Sequence, residues 1–152
     1  MILKVTKADY NDIIHLMETN KDVFSTAEIR SAKHFLENSE DVSFYKRVDT
    51  ATNILACGGF NPCRESDSAF ELCYLVVHGD YQGMGIGTRL YNYIERKIIA
   101  LNGKLILAEA GSKEKNEMFY KKQGFKIAGI IPRFYSPKKD LIQYYKVLKD
   151  KT

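Results

Sequence analysis

The sequence predicts an α+β sandwich with a mixed sheet, and three observations carry that reading. A strand-like run, Phe70-Glu71-Leu72-Cys73-Tyr74-Leu75-Val76-Val77, leads into the glycine-rich stretch His78-Gly79-Asp80-Tyr81-Gln82-Gly83-Met84-Gly85-Ile86-Gly87-Thr88-Arg89-Leu90. Beyond it Ile86, Leu90, Ile94, Ile98 and Leu101 recur at helical spacing, with Arg89, Asn92, Glu95 and Arg96 between them, so a long amphipathic helix begins near Ile86. A further short strand at Leu105-Ile106-Leu107-Ala108 makes this a right-handed parallel crossover, whereas the strands before the turn read as antiparallel.

Taken in order, Ile2 to Val5 alternates and reads as a first strand. Ala8-Asp9 then opens a helix with Tyr10, Ile13, Ile14 and Met17 on one face. Ser25 with Glu28 makes a capping box, and Phe24 with Ile29 supplies the hydrophobic staple across it. A second helix therefore begins at about Thr26 and buries Ile29, Ala32 and Leu36. Val42 to Val48 and Ile54 to Phe60 form a hairpin through Asp49-Thr50-Ala51-Thr52-Asn53, and the polar stretch 61–68 connects it to the strand at Phe70. After the long helix, Asn102-Gly103 is a stop signal. Asn116 to Gln123 forms a short helix ended by Gly124. Phe125 to Ile131 and Leu141 to Leu148 are two last strands, separated by a connection over 132–140. The order is β-α-α-β-β-β-α-β-α-β-β, seven strands and four helices, with no repeat or linker to divide residues 1–152 into more than one domain.

Composition narrows the function classes. At 152 residues, 45% hydrophobic and 28% charged, the chain has the balance of an ordinary globular domain with one core. No apolar run approaches the roughly 18 residues that span a bilayer. Met1-Ile2-Leu3-Lys4 lacks a signal-peptide pattern, so a cytoplasmic protein with no membrane partner is expected. The net charge of +4 comes from scattered lysines, with Lys113-Glu114-Lys115 interleaved by acid. That argues for a solvated face rather than a nucleic-acid patch, and suits a polyanionic ligand without identifying one. Cys57, Cys63 and Cys73 are not spaced as a zinc site, so no metal is expected. Cys57 and Cys73 read as small core residues, and Cys63 has no histidine near it in sequence to activate it.

The glycine-rich turn is where chemistry enters. Its glycines leave the main chain open, and the first amides of a helix lack internal acceptors and lie at the positive end of its dipole, so phosphate oxygens are their natural occupants. A P-loop needs Gly-Lys-Ser/Thr, which Gly87-Thr88-Arg89 does not supply, and the dinucleotide spacing G-x-G-x-x-G fails as well. What does fit is Gln82-x-x-Gly85-x-Gly87, and here the sequence resembles the GNAT superfamily of acetyl-CoA-dependent N-acetyltransferases. The element order matches the GNAT fold from end to end. The resemblance implies a single N-acetyltransferase domain and acetyl-CoA as cosubstrate. The pyrophosphate would be held by Gln82, Gly83, Met84, Gly85, Ile86, Gly87 and Thr88, and the pantetheine arm would lie along the main chain of Leu75, Val76 and Val77.

Transfer of an acyl group from a thioester to an amine needs a base for the ammonium, a site for the oxyanion and a proton for the leaving thiolate. Glu71 stands in an apolar strand eleven residues before Gln82, the offset of the glutamate base in GNAT members that use one; its neighbours Phe70 and Leu72 would raise its pKa by desolvation. Glu71, Cys73, Leu75 and Val77 would share a face, unless a bulge of the kind common in this fold breaks the alternation and exposes backbone groups. Phe119-Tyr120-Lys121-Lys122-Gln123-Gly124-Phe125 resembles the second signature of the family, which makes Tyr120 the implied proton donor. The family commonly has asparagine seven residues before that tyrosine, and this chain has Lys113 there. Either Asn116, also an expected helix N-cap, is the contact to the cofactor, or Lys113 meets a phosphate in its place. Phe24 to Ile29 and Arg133, Phe134 and Tyr135 fall where such enzymes build the acceptor pocket. The expected reaction is direct transfer to a primary amine of a small molecule or protein. The alternative is an acyl-CoA-binding module without catalysis, and a homodimer through exposed C-terminal strand edges is one expected assembly.

Overall fold

The computed structural model describes residues 1–20, 23–38 and 43–150. Its seven strands form one mixed sheet in the order β1-β2-β3-β4-β5-β7-β6. The strands are β1 (Ile2–Lys4), β2 (Ser43–Val48), β3 (Ile54–Pro62), β4 (Ala69–Val77), β5 (Leu105–Gly111), β6 (Lys126–Ser136) and β7 (Lys139–Val147). The α-helices among the described residues are α1 (Tyr10–Glu18), α2 (Thr26–Asn38), α3 (Ile86–Ala100) and α4 (Glu114–Lys122). This is the fold class and element order read from the sequence, with short 3-10 turns added at Lys7–Asp9 and Gly79–Tyr81. Val42, expected at the start of β2, lies outside the described residues.

The chain divides into two compact units, one of residues 1–61 and 73–95, the other of residues 62–72 and 96–152. In the first unit β1 pairs antiparallel with β2, and β2 with β3. Ile13, Leu16, Met17, Ala32, Leu36, Phe44, Cys57 and Val76 form its core, with Phe24, Ile29 and Phe35 packed against them. The capping box at α2 is formed as expected: the Glu28 amide donates to Ser25 Oγ (3.2 Å) and the Ser25 amide to Glu28 Oε1 (3.1 Å). At the base of β2, Lys46 Nζ meets Asp9 Oδ1 at 2.6 Å. The hairpin between β2 and β3 turns on Asp49, whose carboxylate accepts from the amides of Ala51 and Asn53.

In the second unit the first residues of β4 pair in parallel with β5, from Ala69 with Leu105 to Glu71 with Leu107, and β5 pairs antiparallel with β7. The parallel crossover around the glycine turn is therefore present. α3 stops as Asn102-Gly103 predicted: Asn102 takes φ 62°, and Gly103 N–H donates to Ile98 O at 2.9 Å. A β-carbon on Gly103 would overlap the Ile98 side chain and main-chain oxygen, so the close return of the chain needs glycine there.

Four expectations are corrected. Leu101 follows the last residue of α3 and is exposed, so the buried stripe ends at Ile98. The 132–140 connection is mostly strand, because β6 continues through Pro132 to Ser136 and β7 begins at Lys139. Proline is tolerated there because β6 is the sheet edge and needs no outward N–H bond. The ladder is irregular between Ile131 and Ser136, where Arg133 takes φ 57° and its amide donates to Asp140 Oδ1 at 2.8 Å. Asn116 is not the N-cap of α4; Lys113 is, and Asn116 sits inside the first turn. The reason is tertiary: Asn116 Nδ2 donates to Gly111 O at 3.0 Å, which ties the helix to the end of β5. Finally, Ile29 is half-buried rather than buried, leaving Ala32 and Leu36 as the buried face of α2.

Candidate functional site

In the first unit, β4 runs into the glycine stretch through Leu75, Val76 and Val77, of which Val76 is buried and the other two half-buried. Just before them Tyr74 takes φ 46°, a left-handed torsion that is a real outlier for a bulky aromatic in a strand and costs of order 1–3 kcal/mol. The burial pattern also loses its alternation here, since Leu72 and Cys73 are both buried. The shared face expected of Glu71, Cys73, Leu75 and Val77 is not kept, because the strand alternation breaks at Tyr74 as a bulge would break it. Surrounding groups hold the strained residue: the Phe35 ring lies 5.1 Å from the Tyr74 ring, Ser31 Oγ is 3.5 Å from its hydroxyl, and Cys57 Sγ donates to its carbonyl at 3.8 Å. Burial pushes the Cys57 thiol up to about 12, so that cysteine is a packing group and weak donor only.

The stretch itself is exposed from Tyr81 to Gly85. Gly83 and Gly85 take φ 79° and 80°, and a β-carbon at either would meet nothing within 4 Å. Torsion, not space, selects glycine at both. Gly87 lies in the first turn of α3. The first intrahelical bond is Arg89 N–H to Gly85 O at 3.1 Å, so the amides of Gly85, Ile86 and Gly87 precede the helical ladder. Two glycines in left-handed torsions, followed by a fifteen-residue helix, make an open main-chain concavity at the positive end of a dipole. Among the described residues no three His, Cys, Asp or Glu side chains group as metal ligands, and the donors offered here are amides suited to an anion.

In the second unit stand Glu71, Asn116 and Tyr120. Strand alternation and the β4–β5–β7 register put Glu71 on the face of Leu107, Glu109, Gln143 and Tyr145, and Tyr144 on the opposite, buried face with Ile106 and Ala108. Glu71 is more exposed than its apolar neighbours suggested. Partial burial, and after it the charge of Glu109, still push its carboxyl above the usual range. The same carboxylate adds to burial in raising the Cys63 thiol, which makes Cys63 a poor nucleophile.

Tyr120 is fixed by how α4 ends. Gly124 takes φ 90°, its N–H donates to Lys121 O (3.0 Å), and Phe125 N–H donates to Tyr120 O (2.9 Å). This paired C-terminal cap brings the residue after the glycine against the one five positions earlier, and the Phe125 and Tyr120 rings meet edge to face at 5.3 Å. The spacing Tyr120-x-x-x-Gly124-Phe125 is thus a capping device that aims the tyrosine. On its other side the ring stacks on Tyr144 at 4.6 Å. Burial, then Tyr144 and Tyr135, drive the Tyr120 phenol far above its ordinary value, so it is protonated throughout the physiological range. Tyr120 therefore packs on the sheet face opposite Glu71. Arg133, Phe134 and Tyr135 stand on the β6 edge, where Phe134 is exposed and Lys139 Nζ sits 4.9 Å over the Tyr135 ring.

Sequence reasoning missed Tyr74 and Asn20. A tyrosine in a strand looks like any β-former, and Asn20 acts across 57 residues of chain, donating to Val77 O at 2.9 Å.

A mixed sheet crossed by a parallel β4-α3-β5 unit, with an open glycine turn at the start of α3, defines the chain as a protein of the acyl-CoA N-acyltransferase fold. The model of the acetyltransferase (GNAT) domain matches residues 48–127, and the chain belongs to that family. Solved structures agree in fold. An aminoglycoside 6'-N-acetyltransferase complexed with coenzyme A is 19% identical, with TM-score 0.80 over 100% of this chain and 99% of that one. The ribosomal-protein-S18-alanine N-acetyltransferase from Escherichia coli is 17% identical, with TM-score 0.82 over 100% and 96%. An N-acetyltransferase from Staphylococcus aureus Mu50 is 20% identical, with TM-score 0.78 over 98% of each. No curated protein sequence matches the chain.

Proposed function

We propose that the chain is a single N-acetyltransferase domain that moves the acetyl group of acetyl-CoA directly to a primary amine, with both substrates bound together. The observation that carries this is the turn before α3: two left-handed glycines with open space above them, in a chain of the GNAT family. The main-chain amides from Gly83 to Thr88 hold the pyrophosphate, and the main chain of Leu75, Val76 and Val77 lies along the pantetheine arm beyond the strained Tyr74. Asn116 is a further contact near the cofactor.

Acetyl-CoA supplies an activated thioester. Glu71 accepts the proton of the incoming ammonium, its raised pKa bringing it nearer to neutral pH, where a carboxylate base works best. The freed amine lone pair forms the C–N bond, the C–S bond breaks, the departing thiolate takes the proton of the Tyr120 hydroxyl, and the second proton shed by the new amide nitrogen returns to the Tyr120 phenolate. Base and acid on opposite faces of the sheet are supported by the register of β4, β5 and β7. The face bearing Glu71 and Glu109 favours a cationic acceptor.

A panel of polyamines, amino acids, aminoglycosides and N-terminal peptides, incubated with acetyl-CoA and read by free thiol release, tests the reading. Acetylation of at least one amine, lost in Glu71→Gln and Tyr120→Phe, is the expected result. Tight coenzyme A binding with no transfer to any amine would leave only the binding module.

A further inference from the structure

The end of α1 is joined to the glycine stretch by a closed set of hydrogen bonds around Asn20, a buried side chain with no role in the chemistry above. Asn20 Nδ2 donates to Val77 O at 2.9 Å and, at longer range, to Thr19 Oγ1 (3.2 Å) and Leu16 O (3.3 Å). Val77 O and Leu16 O are carbonyls, which only accept, so the orientation of the Asn20 amide is fixed and its oxygen must face the other way. That oxygen accepts from Gln82 Nε2 at 2.5 Å, and the same nitrogen is 3.3 Å from Val77 O. Both N–H donors of Gln82 are thereby committed inside the protein, and its remaining side-chain atom, Oε1, is an acceptor. An acceptor does not bind a phosphate oxygen. Beside this network Gly79 N–H donates to Thr19 Oγ1 at 3.3 Å, and a β-carbon on Gly79 would stand 3.0 Å from Thr19 O. The start of the loop is thus seated on the last turn of α1.

We propose that Asn20 is a positioning residue for acetyl-CoA: it locks Gln82 and the Val77 carbonyl so that Gln82 acts as a strut, leaving phosphate recognition to the main-chain amides that follow. The signature glutamine then serves the loop's shape and makes no side-chain contact with the diphosphate. This rests on the reading of the loop as the acetyl-CoA site.

The test is a double-mutant cycle on coenzyme A affinity by calorimetric titration, using Asn20→Ala, Gln82→Ala and the two combined, with urea unfolding of each. If the wild-type protein does not bind coenzyme A, the functional reading itself fails. Given wild-type binding, each single variant weakens affinity about tenfold, the scale of one lost buried hydrogen bond, and the combined variant is no weaker than the worse single one. Wild-type affinity in Asn20→Ala overturns the proposal. So do single losses that multiply to about a hundredfold, the result of independent contacts in which Gln82 touches phosphate itself. Should Asn20→Ala not fold, Thr19→Val removes the hydroxyl that receives the Gly79 amide and that also donates to Leu16 O (2.6 Å) and accepts from Asn20 Nδ2 (3.2 Å); affinity about threefold weaker supports the clamp, and unchanged affinity overturns it.

Discussion

Replacing Gly85 by alanine isolates what the glycine turn contributes. Its φ is 80° and a β-carbon there meets nothing within 4 Å, so the substitution introduces no overlap and its whole cost is torsional. For an L-residue held in the left-handed region that cost is about 1–2 kcal/mol. Because the turn is exposed, the variant relaxes locally to a negative φ and the fold does not carry the strain. The strain returns when a ligand needs the original torsion. Coenzyme A affinity should therefore fall by roughly 5–30-fold, the equivalent of that energy, while the urea midpoint hardly moves. Gly59→Ala is the contrasting control. A β-carbon there would lie 2.6 Å from Ser43 O and 2.5 Å from Phe44 Cδ2, and a strand carbonyl cannot step aside, so that variant should lose stability. Calorimetric titration with coenzyme A and urea unfolding of both variants make the comparison. Wild-type affinity in Gly85→Ala would refute the claim that the left-handed torsion serves the ligand.

Further outcomes follow from the same geometry. Glu71→Gln should cost about 10²–10⁴-fold in kcat/KM. Glu109→Gln should move the acidic limb of kcat/KM to lower pH, because removing a like charge lets Glu71 ionise more readily; a limb that stays put removes Glu71 from the role of base. Tyr120→Phe keeps the stacking on Tyr144 and Phe125 but loses the donor, so kcat should drop with coenzyme A affinity retained, as rapid-quench and binding measurements would show. Asp9 is pushed up by burial but pulled down further by its bonds to Lys46 and Thr6. The stability it brings is complete above its unfolded value of 3.8 and is lost as pH falls from there through the lower folded value. Lys46→Met should accordingly cost about 1.5–3 kcal/mol at neutral pH by denaturant titration, with the loss shrinking in acid. Ser25→Ala removes one half of the capping box and should lower stability by about 1 kcal/mol; no change would mean the α2 start is held by packing alone.

The parts of this molecule that local chemistry decides were legible in the sequence. Ser25 with Glu28 gave the start of α2, Asn102-Gly103 the end of α3 and Gly124-Phe125 the end of α4, because each is a hydrogen-bond arrangement closed within a few residues. The glycines at 83 and 85 announced their torsions for the same reason. What tertiary contacts decide was hidden. Asn116 has the composition of a cap but spends its amide on Gly111 O, so the cap falls to Lys113. Pro132 looked like the end of a strand and is carried by an edge that needs no donor. Tyr74 adopts a torsion that its residue type disfavours, because Phe35 and Ser31 from α2 hold it there. Glu71 was read as desolvated by its strand neighbours, yet its raised pKa owes its second cause to Glu109 on β5, a residue the sequence does not place beside it.

Crystals of the protein grown with coenzyme A address the central claim most directly. The account predicts the diphosphate within hydrogen-bond distance of main-chain amides between Gly83 and Thr88, with the Gln82 amide nitrogen still turned toward Asn20. A diphosphate seated on other residues, or no bound coenzyme A at saturating concentration, would contradict it.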